Sequence, residues 1–145
     1  MTGDAWMSSH NERPSMAGPL SGLRVVEFAG VTPPSIACMA LSSMGADVVR
    51  VDRLDHEADD EHNTLRRGRR SIALDLKSTK GLQIARKLAG SADVVTEGYR
   101  PGVMERLGLG PNELLADFPR LIYGRLTGWG QDGPNATMAG HDITY

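Results

Sequence analysis

Cysteine is almost missing from this chain: Cys38 stands alone, so no internal disulfide framework of the kind that staples small secreted domains can form. No apolar run approaches the roughly 20 residues needed to span a bilayer as a helix. Neither sign of charge dominates, with 16 Lys and Arg against 18 Asp and Glu and a net charge of −2. A nucleic-acid binder would ordinarily be basic over a whole face, and that class of partner falls away along with the membrane. The opening residues 1–15 are polar and mixed in charge and lack the apolar core of a signal peptide. They read as a flexible leader, with Met16 as an alternative start. These absences leave the cytoplasm as the default compartment.

What is present is ordinary for a globular domain: 40% hydrophobic and 23% charged residues in a chain of 145. That length can bury a core of its own, expected over residues 16–145. Leu23 to Ala29 is rich in β-formers and ends at Gly30, which predicts a strand. Ser35 to Met44 carries Ile36, Met39, Ala40, Ser43 and Met44 at helical spacing, with Gly45 as the C-terminal stop. Asp47 to Asp52 predicts a second strand, Arg53 to Arg70 a long polar loop, and Ser71 to Leu76 a third strand. Ser78 is suited to cap a helix whose buried stripe is Leu82, Ala85, Leu88 and Ala89, closed by Gly90. Asp93 to Thr96 and Leu121 to Leu126 predict two more strands. Between them a short helix covers Pro111 to Phe118, with Pro111 in its first turn.

Strands alternating with helices call for crossover connections and a mostly parallel sheet. The fold class is α/β: a Rossmann-like, mostly parallel sheet with flanking helices. The first strand is not followed by Gly-x-Gly-x-x-Gly. Gly30-Val31-Thr32-Pro33-Pro34-Ser35 stands there instead, which argues against a nicotinamide-type dinucleotide site.

Several residues have the chemistry for anions or protons. Arg66, Arg67, Arg69 and Arg70 surround Gly68, and Lys77 follows one strand later. Guanidinium forks match phosphate geometry, although such a run equally serves as a solvated loop balancing Asp55, Glu57, Asp59, Asp60 and Glu61. Arg53 ends the second strand, where ligands of open parallel sheets bind. Tyr99-Arg100-Pro101-Gly102 is a turn after another strand end, either a simple connector or an arginine facing a ligand anion. Thr127 to Gly140 is a glycine-dense loop able to offer backbone amides to an oxyanion. It ends at His141, a residue type suited to proton transfer near neutral pH, with Asp142 beside it. A lone His-Asp dipeptide is also a common surface pair. Cys38, mid-helix among apolar neighbours, reads as core rather than nucleophile. No metal site is expected.

Taken together, several segments resemble the family III CoA-transferases and, within that group, the α-methylacyl-CoA racemases. They are Pro19-Leu20-Ser21-Gly22-Leu23-Arg24-Val25-Val26-Glu27, Gly45-Ala46-Asp47-Val48-Val49-Arg50-Val51-Asp52-Arg53 and Leu74-Asp75-Leu76-Lys77. Asp93-Val94-Val95, Glu97-Gly98-Tyr99-Arg100-Pro101-Gly102-Val103, Leu107-Gly108-Leu109-Gly110-Pro111 and Leu121-Ile122-Tyr123 follow in the same order. Gly128-Trp129-Gly130-Gln131-Asp132-Gly133-Pro134 and Ala139-Gly140-His141-Asp142-Ile143 complete the match. Transferases typically carry an aromatic residue at the position of His141, so Gly-His-Asp here favours racemisation.

The resemblance implies an acyl-CoA thioester as the partner, with CoA part of the substrate and no separate cofactor. His141 would exchange the α-proton on one face, and an aspartate beyond Tyr145 would serve the other. Arg53, Ala73, Leu74, Asp75, Leu76, Lys77, Tyr99, Arg100 and Arg106 would hold CoA, with Arg66 to Arg70 adding phosphate contacts. Gly140, Asp142 and Tyr145 would line the reacting group, where backbone donors from Gly140 to Asp142 meet the enolate oxygen. Family members are longer and form interlocked dimers, so the chain is expected to be an N-terminal part of such a fold. It would pair as a homodimer or with a complementary C-terminal chain. The rival readings are a family III CoA-transferase and a non-catalytic CoA-binding remnant.

Overall fold

A computed structural model describes residues 18–30, 32–54 and 64–140; the leader expected over 1–15 lies outside the described residues. Five short strands are each built from a β-rich run. They are β1 (Arg24–Phe28), β2 (Asp47–Asp52), β3 (Arg70–Ala73), β4 (Val94–Glu97) and β5 (Ile122–Arg125). The helices are α1 (Thr32–Ser43), α2 (Thr79–Ser91), α3 (Val103–Arg106) and α4 (Pro111–Asp117), and a single 3₁₀ turn covers Thr64–Arg66. All strand pairings are parallel, in the order β3-β2-β1-β4-β5. Chain direction across the sheet reverses between β1 and β4, the switch point at which doubly wound folds open a ligand crevice.

Side chains alternate across the pleat, so each strand contributes to two different layers. Val26, Phe28, Val51 and Val95 face α2, α3 and α4. There they join Leu74, Ala85, Ala89, Met104, Leu109, Leu114 and Leu121 in the main core. Each large side chain fully buried here contributes about 1.5–3 kcal/mol. On the opposite face Val25 and Val48 meet Cys38 and Ala46 in a smaller cluster under α1.

Local chemistry sets the helix ends. Gly45 has φ 99, and the amide of Ala46 reaches back to Leu41 O while that of Gly45 reaches Ser42 O, a Schellman closure of α1. Ser78 caps α2 by accepting the Gly81 amide at 3.0 Å, as its position before the periodic stripe predicts.

Four expectations need correction. The helix expected over Ser35 to Met44 runs from Thr32 to Ser43, and its spaced apolar residues point outward: Ile36 is 49% and Met44 40% exposed. Pro34, Ser35, Cys38 and Ser42 are the buried residues instead, because the strand face beneath α1 carries charge that small polar side chains can accommodate. Gly90 does not close α2, which runs to Ser91; bare of a side chain, Gly90 lets the Phe118 ring close against the helix. Strand β3 spans 70–73 rather than 71–76. Beyond it Asp75 accepts from the Lys77 amide through its carboxylate and from the Ser78 hydroxyl through its carbonyl in a turn, which removes the backbone from the sheet. Finally, 103–106 forms the short helix α3, which no periodicity announced.

Candidate functional site

The carboxyl ends of β1 to β4 lie along one edge of the sheet, and most of the predicted anion-binding residues follow them. Arg53 leaves β2 and is exposed. Tyr99 leaves β4 and crosses the switch point. Its hydroxyl donates to Ala29 O at 2.6 Å beyond β1, and its ring lies against Gly30. The Tyr99 amide donates to Glu97 Oε2 at 2.7 Å, which fixes the turn from below. Burial pushes the Tyr99 phenol above its ordinary pKa, and the positive charge of Arg53 pulls the other way, so the two side chains share one electrostatic environment.

Arg100 is exposed on the same turn, and Gly102, with φ 81, starts α3. Arg106, one turn of helix later, folds its guanidinium back toward Gly102. Arg100 and Arg106 therefore flank a single turn. At the far end of the edge, Ala73, Asp75 and Lys77 are exposed, but the Asp75 carboxylate is engaged with the Lys77 amide at 2.9 Å. Leu74 is a core residue and Leu76 packs against that core, so this stretch has its backbone, Ala73 and Lys77 to offer a ligand. Gly140 is half-buried at the end of the glycine loop, where Trp129 Nε1 donates to Ala139 O at 3.3 Å. His141, Asp142 and Tyr145 lie outside the described residues.

The N-terminus of α1, which holds phosphate in dinucleotide-binding relatives of this topology, is altered here. Pro33 and Pro34 occupy its first turn and have no N–H to donate. This agrees with the missing glycine fingerprint and takes two main-chain donors out of that turn.

Two charged constellations escaped the sequence reading. Glu27, wholly buried in β1, accepts from Ser35 Oγ at 2.6 Å and from Arg69 Nη1. Glu97 is 1% exposed and receives Arg125 Nε at 3.0 Å, while Arg125 Nη2 reaches Glu105. The available signal was a carboxylate inside an apolar strand, since such a group must find a partner. The arginine run is not a purely solvated loop. Arg69 is interior, Arg70 pairs with Asp47 at 2.6 Å, and Arg66 lies 3.8 Å from Asp52. Its acidic counterparts Asp55, Glu57, Asp59, Asp60 and Glu61 lie outside the described residues. Cys38 is buried with its thiol 3.2 Å from Thr96 Oγ1. Burial pushes its pKa up to about 11, which makes it a poor nucleophile.

An open parallel α/β sheet whose strand order reverses between β1 and β4 belongs to the class of folds in which ligands bind beyond the strand ends. The model of CoA-transferase family III matches residues 20–145, and the chain belongs to that family. It is 51% identical over 126 residues to the alpha-methylacyl-CoA racemase of Mus musculus, covering 87% of this chain and 32% of the relative. A probable fatty acyl-CoA transferase of Mycobacterium tuberculosis is 36% identical, with 88% and 36% covered. A crystal structure of that mycobacterial protein superposes with a TM-score of 0.80 at 39% identity, over 88% of this chain and 38% of the other. The chain thus spans about a third of the length of the curated relatives it matches. Among the described residues, no helix is long and apolar enough to cross a membrane.

Proposed function

We propose that this chain is the CoA-binding part of an acyl-CoA racemase that inverts the α-carbon of a 2-methylacyl-CoA. The observation that carries the reading is the 51% identity to a racemase against 36% to a transferase, joined to the Gly140-His141-Asp142 string. The crevice chemistry supports it. Arg53, Arg100 and Arg106 supply side-chain cations for the phosphates of CoA, and Tyr99 forms the wall between β1 and β4.

A thioester acidifies the proton on its α-carbon. His141 removes that proton from one face, and amides around Gly140 to Asp142 hold the enolate oxygen. An aspartate beyond Tyr145, in its protonated carboxylic-acid form, delivers a proton to the opposite face. No metal or redox step is required. A segment following Tyr145, or a complementary C-terminal chain, would complete the site.

Two measurements test this. Calorimetry should show CoA binding to the chain, weakened about tenfold by Arg53→Ala, the worth of one charge-assisted contact. A protein carrying this chain should wash deuterium from heavy water into a 2-methylacyl-CoA with no acceptor acid present. Acceptor-dependent CoA transfer without exchange would replace racemisation by the transferase reading, for which the weaker similarity to named transferases stands. CoA binding with neither activity would leave a non-catalytic binding module.

A further inference from the structure

A second cavity lies away from the strand ends, against the α1 face of β2 and β3. It encloses about 130 Å³ and is walled by Arg50, Arg66, Arg69, Arg70 and Ser71. A single water needs only about 10–15 Å³ of such space, so there is room for a tetrahedral oxyanion. We propose that this cavity binds a phosphate-type oxyanion through Arg69, Arg50 and Ser71.

Arg69 carries the argument. Its side chain is 1% exposed, and Nη1 donates to Glu27. Nε and Nη2 have no hydrogen-bond partner among the described residues. Those two nitrogens share one edge of the planar guanidinium, the fork that grips two oxygens of a single anion. Buried donors are nearly always satisfied, and an unmet donor on a charged group is the costliest exception. Arg50 Nε is also without a hydrogen bond, since Asp52 Oδ1, 3.0 Å away, lies outside hydrogen-bonding geometry. The register pairs Arg50 with Ser71, which sets the exposed Ser71 hydroxyl on the same face.

A carboxylate would be satisfied by the Arg69 edge alone. A phosphate brings further oxygens for Arg50 and Ser71, and the donor set matches it better. The local backbone is shaped for this placement. Gly68 adopts φ +73, a left-handed conformation that suits glycine, and turns Arg69 inward while Arg67 stays exposed. Ser42 Oγ holds the turn to α1 by donating to Gly68 O at 2.9 Å. Arg50 and Ser71 each precede the ends of their strands by two residues, so the cavity is distinct from the crevice at Arg53 and Tyr99.

The test titrates the intact chain with inorganic phosphate at constant ionic strength, read by calorimetry. A single saturable phosphate site is expected, with chloride failing to compete. Arg69→Lys keeps a cation opposite Glu27 but deletes the two-nitrogen edge, and should weaken phosphate about tenfold or more. Ser71→Ala, on an exposed position, should weaken it roughly threefold to tenfold and keeps the test decisive if Arg69→Lys does not fold. Phosphate binding no stronger than chloride binding overturns the proposal, and so does undiminished affinity in the variants that fold.

The source of the oxyanion is read with CoA and 3′-dephospho-CoA as competitors. Displacement by CoA alone assigns the cavity to the 3′-phosphate, displacement by both to the diphosphate, and by neither to a free oxyanion. Because inorganic phosphate is the primary probe, failure of the racemase reading leaves this result standing, and the reverse holds too.

Discussion

On the α2 side of the sheet, Val26, Phe28, Val51 and Val95 meet Ala85, Ala89, Leu109 and Leu114 in one apolar layer. On the α1 side, Glu27, Arg50, Asp52 and Arg69 are buried on the face covered by a helix that turns Ser35, Cys38 and Ser42 inward. The same strands build both layers. Their stability has different origins: the apolar side gains from area removed from water, a non-directional term that tolerates reshaping. The charged side depends on each group having its partner, because an unpaired buried charge costs more than the pair gains.

The comparison breaks most visibly at Glu27. Glu27→Leu strands the Arg69 guanidinium and should cost about 4 kcal/mol in urea unfolding, whereas Glu27→Leu with Arg69→Met should recover most of that loss. A double variant as unstable as the single one would mean that packing, not pairing, holds this side together.

On the apolar side, Leu114 is wholly buried, and Leu114→Ala should cost about 3 kcal/mol with no single partner able to rescue it. The smallest effect sharpens the contrast through pH. The Cys38 pKa is raised from 9.0 to about 11, so the folded state retains a proton that the unfolded chain releases. The thiol's contribution is full below pH 9 and is lost as pH rises toward 11. Stability should fall by about 1 kcal/mol between pH 9 and 10, and Cys38→Ala should flatten that step. An unchanged slope in the variant would place the titration elsewhere.

These two faces also divide what the sequence made legible. β1 and β2 were readable to within a residue because Val-rich runs between turn signals have few alternatives. α2 was readable because Ser78 caps a clean stripe. α1 misled: its apolar residues had helical spacing, but the face below demanded Ser35 and Ser42, and burial followed the partner rather than the pattern. β3 was misjudged because Leu74 and Leu76 continue the apolar run after Asp75 and Ser78 have already turned the chain. At the site, the strand-end positions of Arg53 and Tyr99 followed from topology alone. The inward turn of Arg69 did not, since nothing local distinguishes it from Arg67 except the glycine between them.

Pro33 and Pro34 carry a consequence of their own. A fold that grips phosphate with main-chain amides holds a contact that only proline can erase, because every other residue supplies the same N–H. Here Pro33 and Pro34 take two donors out of that first turn, and in the function proposed above recognition passes to guanidinium and ammonium groups. Such a grip is cation-based, so it should weaken steadily with added salt. It is also open to change one codon at a time: each arginine can be lost, exchanged or moved without disturbing the backbone that presents it.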